Sequence, residues 1–222
     1  LVTGFLFNVF CSTPQQALER GNNMKWYIIR HAEKEKGDFY NPALRHQDEP
    51  ISERGQKQAE QLWQFFSGRP VNGVYISQYQ RTGQTIQYVT KKIGLHPIMD
   101  ERLNEIDNGL IDALAEDEIQ ALYPEVWNGF RERDHDFKFP QGESGEDARR
   151  RIASFMADKH QADRNIIVVC HEGLIRLWMC HLMGLPVYRR WDFKVDFCGI
   201  MEIEFEPEYN NWRLIRFNQT VL

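Results

Sequence analysis

The sequence predicts an α/β fold, a three-layer α/β/α sandwich with a mostly parallel central sheet. Two observations carry that prediction. Short apolar runs of strand length alternate with segments whose apolar residues recur at helical spacing. The runs separated by helices are apolar almost throughout, as strands buried on both faces are, whereas the last two alternate apolar and polar residues like an edge hairpin. Helices that join parallel strands pack back onto the sheet, so both of its faces are expected to be covered.

"KWYIIRH" (25–31) is the first buried run, and a polar loop through Pro42 and Pro50 follows it. Ser52 then caps a helix on which Ala59, Leu62 and Phe66 share a face. "NGVYIS" (72–77) is the second strand. The next helix, about 79–94, buries Ile86, Val89 and Ile93 and stops at Gly94, a residue free to take the left-handed conformation that ends helices. "HPIMD" (96–100) is a brief third strand. Residues 105–143 break the rhythm. Rich in carboxylates and aromatics, with one helical stretch around 115–123, they read as an insertion covering one end of the sheet. Ser144 begins a helix with Ile152, Phe155 and Met156 on one face. "NIIVVCH" (165–171) is the most apolar strand, and the helix after it carries Leu174, Leu177, Trp178 and Leu182 before ending ahead of Gly184-Leu185-Pro186. "GIMEIEFE" (199–206) and "WRLIRFN" (212–218) complete the sheet.

The chain has 222 residues, 42% hydrophobic and 27% charged, which suits a globular domain able to bury a core without staples. Residues 24–222 read as one domain and residues 1–23 as an N-terminal extension of undefined role. A formal charge of −5 argues against nucleic acid, whose backbone demands a basic footprint, so any anionic ligand must be held by a local cluster of arginines. "LVTGFLFNVF" at the start is too short to span a bilayer and lacks the basic residues that precede a secretory leader. No membrane attachment is expected, and a trimmed leader within residues 1–23 is the alternative. Cys11, Cys170, Cys180 and Cys198 have neither zinc spacing nor a dense disulfide pattern, so reduced thiols and a cytoplasmic location are expected.

Two strands end alike. "IIRH" closes one and "VVCH" another, and in an open parallel sheet ligands bind beyond the carboxyl ends of the strands. His31 and His171 could therefore share a pocket. A third strand end, "YISQYQRTGQT", brings Arg81 to the first turn of a helix, and helix N-termini favour anions. Arg30 and Arg81 together could hold phosphate oxygens through bidentate, charge-assisted bonds. Surface ion pairing is the plainer reading of either arginine alone. A metal site from His31, Glu33 and His171 is the competing reading of the histidines, disfavoured by the adjacent arginines.

"RHAE", "SQYQRTGQT", "ERLNEIDNG", "PQGES" and "VVCHEGLIR", in that order and spread over residues 25–205, resemble the histidine phosphatase superfamily, the phosphoglycerate-mutase-like branch with an Arg-His-Gly-type motif. The resemblance implies a phosphoglycerate-mutase-like fold with its active site at the carboxyl ends of the strands. It implies that His31 is the nucleophile that becomes a phosphohistidine, and that Arg30, Arg81 and His171 surround the phosphoryl oxygens. Glu105 then matches the general acid that protonates the leaving oxygen and later activates water. Gly173 would offer its N–H to the phosphate, and Asn41 and Ser144 are further candidates for contact with substrate. No cofactor or metal is implied.

The match has departures. Ala32 stands where the motif has glycine, Glu172 follows His171 where a glycine is common, and Asp112-Ala113 replaces a frequent Glu-Gly pair. The Arg-His-Tyr-Gly segment of the mutases is replaced by "NGLIDAL", which favours transfer of the phosphoryl group to water, so hydrolysis of phosphomonoesters is expected. Mutase-type transfer and a non-catalytic phosphate-binding module on the same fold are the alternatives. A small phosphorylated metabolite is the expected substrate, with a phosphoprotein as the second class, and the oligomeric state is left open. Tyr123, Trp127, Phe130, Arg131, Arg133 and His135 in the insertion are candidates to contact the rest of the substrate; Lys34, Lys36 and Arg45 could hold a second phosphate.

Overall fold

Strand β1 (Lys25–Arg30) sends Trp26 and Ile28 to one face of the sheet and Tyr27 and Ile29 to the other, and all four are buried. A strand apolar on both sides must be covered on both. The computed structural model describes residues 24–112, 114–160 and 165–221 and shows how this is done. After β1 come a small hairpin of β2 (Tyr40–Asn41) and β3 (His46–Gln47), then α1 (Glu53–Phe66), β4 (Gly73–Ile76), α2 (Gln80–Ile93) and β5 (Ile98–Met99). The insertion contributes α3 (Glu116–Leu122) and α4 (Pro124–Glu132). The chain then runs through α5 (Gly145–His160), β6 (Ile166–Cys170) and α6 (Glu172–Leu182) to the final hairpin of β7 (Ile200–Glu206) and β8 (Asn211–Gln219).

The sheet order is β5-β4-β6-β1-β7-β8. The pairs β4–β5, β4–β6 and β1–β6 are parallel, and β7 joins antiparallel to β1. One face packs against α1 and α2 through Leu62, Phe66, Ile86 and Val89. The other packs against α5 and α6 through Ile152, Phe155, Leu174 and Trp178. Trp26 lies between Phe155 and Trp178, edge to face, with ring centroids 5.9 Å and 6.5 Å away. Each such fully buried side chain contributes roughly 1.5–3 kcal/mol. This is the three-layer α/β/α sandwich that the alternation of runs predicts. At the β5 edge Ile98 and Met99 are exposed.

The helix signals hold in detail. The Ser52 hydroxyl accepts the Gly55 N–H at 3.0 Å, and Gly94 ends α2 in the left-handed region at φ 72°. Three features differ from expectation. The insertion has a second helix, because Pro124 has no N–H to continue α3 and instead opens α4. Residues 40–47 form the β2–β3 hairpin rather than a plain loop; two-residue strands are too short to show a period. The last strand extends to Asn211–Gln219, with register shifts against β7. Expectations for residues 1–23, including Cys11, and for Ala113 lie outside the described residues. Among the described residues no helix is long and apolar enough to cross a membrane, and Cys170, Cys180 and Cys198 are buried free thiols.

The segment after β1 is clamped where α1 begins. Glu33 carbonyl accepts the Ser52 N–H at 2.8 Å, and a Cβ on Gly55 would lie 2.1 Å from that same oxygen. Glycine is there for close approach. In an ordinary exposed helix Gly→Ala stabilises by about 0.8–1 kcal/mol. Gly55→Ala is expected to do the reverse, lowering the urea midpoint; a raised midpoint would refute the packing argument.

Candidate active site

Parallel pairing of β1 with β6 places Arg30 beside Cys170. The next residues, His31 and His171, therefore emerge together at the carboxyl end of the sheet, their ring centroids 5.2 Å apart and their planes inclined at 61°. β4 lies on the far side of β6 with Ile76 opposite Val169, and α2 begins shortly after it, so Arg81 arrives from that side. Its Nη2 lies 3.4 Å from His171 Nδ1. The structure thus brings His31, His171, Arg30 and Arg81 to one end of the sheet, with His31 and both arginines lining a cavity there and His171 outside its lining.

A cavity of about 300 Å³ opens here, lined among others by Arg30, His31, Lys34, Arg81, Glu105 and Glu172. His31 is 5% exposed. Its Nδ1 lies 2.7 Å from the Ala32 carbonyl, which can only accept. Nδ1 therefore carries the proton, and Nε2 keeps its lone pair. Burial pushes His31 well below the usual histidine range, and the Arg81 and Arg30 charges push it the same way. The imidazole is neutral at neutral pH. Ala32 is buried in the core and its N–H donates to Thr85 Oγ1 at 2.8 Å, so the methyl group replacing the motif glycine is accommodated.

His171 is fully buried beneath the cavity. Its Nε2 pairs with Ser77 Oγ at 2.8 Å and its Nδ1 faces Arg81, so Nδ1 is the acceptor and Nε2 the donor. Burial followed by the Arg81 charge depresses this histidine too. Ser77 follows β4 directly, the same position that His31 and His171 hold on their own strands, and that equivalence is the signal by which it could have been found.

Each arginine is half committed. Arg30 Nη1 bonds Val195 O at 2.5 Å and Glu172 Oε2 at 2.9 Å, and its guanidinium lies 4.1 Å from the centroid of the Phe197 ring. Arg81 Nη1 pairs with Glu49 Oε2 at 3.3 Å. Both Nε atoms are buried and hydrogen-bond to nothing among the described residues. Buried donors without partners are costly, so an acceptor brought against these two forks would relieve that cost. Burial raises the Glu49 carboxyl, but Lys34 and Arg81 outweigh it and hold the group below the usual carboxylate range. Glu49 carries no periodic or motif signal in the sequence.

Glu105 enters from the insertion, and its carboxylate sits on the N-terminus of α6. It accepts the N–H groups of Gly173 at 3.1 Å, Leu174 at 3.0 Å and its own neighbour Ile106 at 2.9 Å. The Glu105 carbonyl accepts Arg151 Nη2 at 3.1 Å, and Arg151 is held by Glu143. The Gly173 N–H is thus turned to Glu105 rather than left free for a ligand in the cavity, a correction to the contact expected of it. A Cβ on Gly173 would lie 2.7 Å from Glu105 Oε1, so a larger residue there would displace that carboxylate.

Two expected contacts do not assemble. Asn41 Nδ2 donates to Asp48 at 3.1 Å and Asn41 Oδ1 accepts the Ala43 N–H at 3.0 Å, so its amide shapes the β2–β3 turn outside the cavity. Ser144 caps α5: its hydroxyl accepts the Asp147 N–H at 3.1 Å while Asp147 accepts the Ser144 N–H at 3.0 Å. Glu33 turns away to Ser52 and Arg54, so the His31–Glu33–His171 set does not converge. Among the described residues, the cluster close enough to share an ion is Glu132, Asp134 and His135, all exposed. Of the insertion candidates, Tyr123 and Trp127 pack against the small core of Ile111, Ile119, Val126 and Phe139, while Phe130 lines a second cavity. Lys34 reaches the cavity beside His31 and pairs with Glu49 at 2.5 Å; Arg45 lines a neighbouring cavity, and Lys36 is exposed.

Both histidines have folded-state pKa values below their unfolded value of about 6.5. As pH falls through 6.5 the unfolded chain takes up protons that the folded chain refuses, so stability is present above that pH and declines below it. The slope is at most about 1.4 kcal/mol per pH unit for each histidine. Urea midpoints should hold from pH 7.5 to about 6.5 and then fall towards pH 5, above the carboxylate range; a flat profile throughout would contradict the buried neutral pair.

Comparison with known proteins agrees with this geometry. The family profile described as Histidine phosphatase superfamily (branch 1) matches residues 26–220. Phosphoserine phosphatase 1 of Hydrogenobacter thermophilus is 31% identical over 192 residues, covering 84% of this chain and 89% of that protein. Human 6-phosphofructo-2-kinase/fructose-2,6-bisphosphatase 4 is 31% identical over 165 residues, 71% of this chain but 32% of that longer protein. Mycobacterial glucosyl-3-phosphoglycerate phosphatase superposes with a TM-score of 0.75 at 21% identity over 90% of this chain and 100% of its own. The alpha-ribazole phosphatase from Shigella flexneri does so with 0.73 at 23% identity, over 88% and 96%. These two likenesses concern the fold. Matched over nearly all of its described length, this chain belongs to the histidine phosphatase superfamily, branch 1, and is a phosphatase of that type.

Proposed function

We propose that the chain hydrolyses phosphomonoesters without a metal ion, through a phosphohistidine at His31. The observation that carries the reading is the His31 tautomer: Nδ1 is tied to the Ala32 carbonyl at 2.7 Å, leaving Nε2 with an available lone pair in a buried, neutral ring. In the first step Nε2 attacks phosphorus, the N–P bond forms, and the bond from phosphorus to the leaving oxygen breaks. Glu105, in its protonated form, gives that oxygen its proton. In the second step water attacks phosphorus, the N–P bond breaks, and Glu105 takes the proton of the water. Splitting the reaction in this way replaces one difficult displacement with two easier ones.

The unpartnered Nε groups of Arg30 and Arg81 support their role as the phosphate clamp, stabilising charge on the transferred group. His171, held by Ser77, fixes Arg81 from below through its Nδ1. Residues 24–222 act as one catalytic unit, with the insertion at about 105–143 as its cover. The substrate is a small phosphorylated metabolite, a class in keeping with the phosphoserine phosphatase named among the relatives. Buried free thiols at Cys170, Cys180 and Cys198 suit a cytoplasmic setting.

Phosphate release from small phosphomonoesters in EDTA is expected for the native sequence and not for His31→Ala. Acid-labile, base-stable phosphate should be trapped on the native protein during turnover. Glu105→Gln should lose about 10²–10⁴-fold in kcat. Activity removed by EDTA, or equal activity in His31→Ala, would sink the proposal.

A further inference from the structure

Beside the phosphate cavity lies a second one of about 200 Å³, and Glu105, Ile106, Asn108 and Glu172 line both. Its remaining walls include Phe130, Phe139, Arg190 and Trp191. Phe130 packs against Trp191 at 5.6 Å and against Phe139 at 5.7 Å between ring centroids, so one side of the cavity is a fixed aromatic surface. Small, aromatic on one side and sharing four lining residues with the first cavity, it is placed to receive whatever the phosphate is attached to.

Arg190 is the unusual member. It is 3% exposed. Its Nη1 contacts Asp136 Oδ1 at 3.2 Å and Val187 O at 3.5 Å, while Nη2 is buried and hydrogen-bonds to nothing among the described residues. Asp136 is shared, because its carboxylate also accepts the Gly145 and Glu146 N–H groups at the start of α5, each at 3.0 Å. A Cβ on Gly145 would meet Arg190 Nη1 at 2.4 Å, so the arrangement of all three groups is packed tight. A buried guanidinium with a divided counter-ion and an idle donor is a costly thing to keep unless a ligand completes it. The other charges on the rim are spent. Glu172 bridges Arg30 and Arg176, and Glu105 is satisfied by backbone N–H groups.

We propose that this second cavity is the leaving-group pocket and that it selects phosphomonoesters whose leaving group is compact and flat and carries a carboxylate directed at Arg190. The proposal rests on the phosphatase reading above. The aromatic walls take the flat body, and the guanidinium takes the carboxylate through charge-assisted hydrogen bonds that a neutral group could not replace.

The test compares kcat/KM in EDTA for three aryl phosphates that carry carboxylate, hydrogen or aminomethyl at the para position. The native protein should favour the carboxylate over the aminomethyl compound. Arg190→Met should cut that preference by about 10–100-fold, and Arg190→Lys should recover part of it. Phe130→Ala should raise KM for all three while leaving the charge preference standing. Because preference is a ratio within one protein, loss of folded material does not imitate it. If Arg190→Met does not fold, the native protein decides alone: equal treatment of the carboxylate and aminomethyl compounds overturns the leaving-group assignment while the phosphatase reading stands. No turnover of any of the three overturns the phosphatase reading and the pocket with it.

Discussion

Everything in this site depends on the register of one strand pair. β1 and β6 run parallel with Arg30 opposite Cys170. The two histidines that follow are therefore neighbours by construction, without any loop having to hold them. A slip by one residue would turn one imidazole to the opposite face of the sheet. The pairing runs unbroken from Trp26 with Ile166 to Arg30 with Cys170, and both strands are buried along it. The bonds that hold His31 in place, its N–H to Cys170 O at 3.0 Å and the Ala32 N–H to Thr85, are backbone consequences of the same pairing and of α2 packing beneath it.

On that frame the electrostatics follow a simple rule. Burial keeps the histidines neutral, and the arginines keep them so, which leaves each ring one nitrogen with a lone pair. The same burial makes the arginines expensive, and Glu49 and Glu172 offset part of that cost while leaving donors idle. Glu172, which departs from the glycine common at its position, thereby links Arg30 to Arg176. The result is a cavity whose cations are pre-arranged but not saturated, the condition under which charge developing on a phosphoryl group is stabilised without reorganisation.

Much of this was legible in the residues. The unbroken apolar runs of β1 and β6, the Ser52 cap and the Gly94 stop all report local physics that the tertiary structure does not override. His31, His171, Arg30 and Arg81 could be placed because strand ends and helix starts are readable and a parallel sheet gathers them. What could not be read depends on pairing over distance. Glu49 shows its role only once Lys34 and Arg81 lie against it. Gly173 and Ser144 fit motifs, yet one N–H goes to Glu105 and one hydroxyl goes to a helix cap, choices made by three-dimensional competition for donors. Arg190 looks in sequence like one of two adjacent surface arginines, and nothing local announces that it is buried.

The central position of β1 has a consequence for how the molecule comes into being. Its parallel partner β6 begins about 140 residues later, as the Lys25–Asn165 hydrogen bond illustrates, and its other partner β7 later still. A strand apolar on both faces is therefore made early and must wait, unpaired, until most of the chain has left the ribosome. Pairings this remote in sequence form slowly, and the waiting strand is a sticky surface in the interim. Nascent chains of this protein should lean on chaperones during that interval, and activity should appear all at once rather than by degrees, since neither half of the chain can assemble any part of the histidine pair alone.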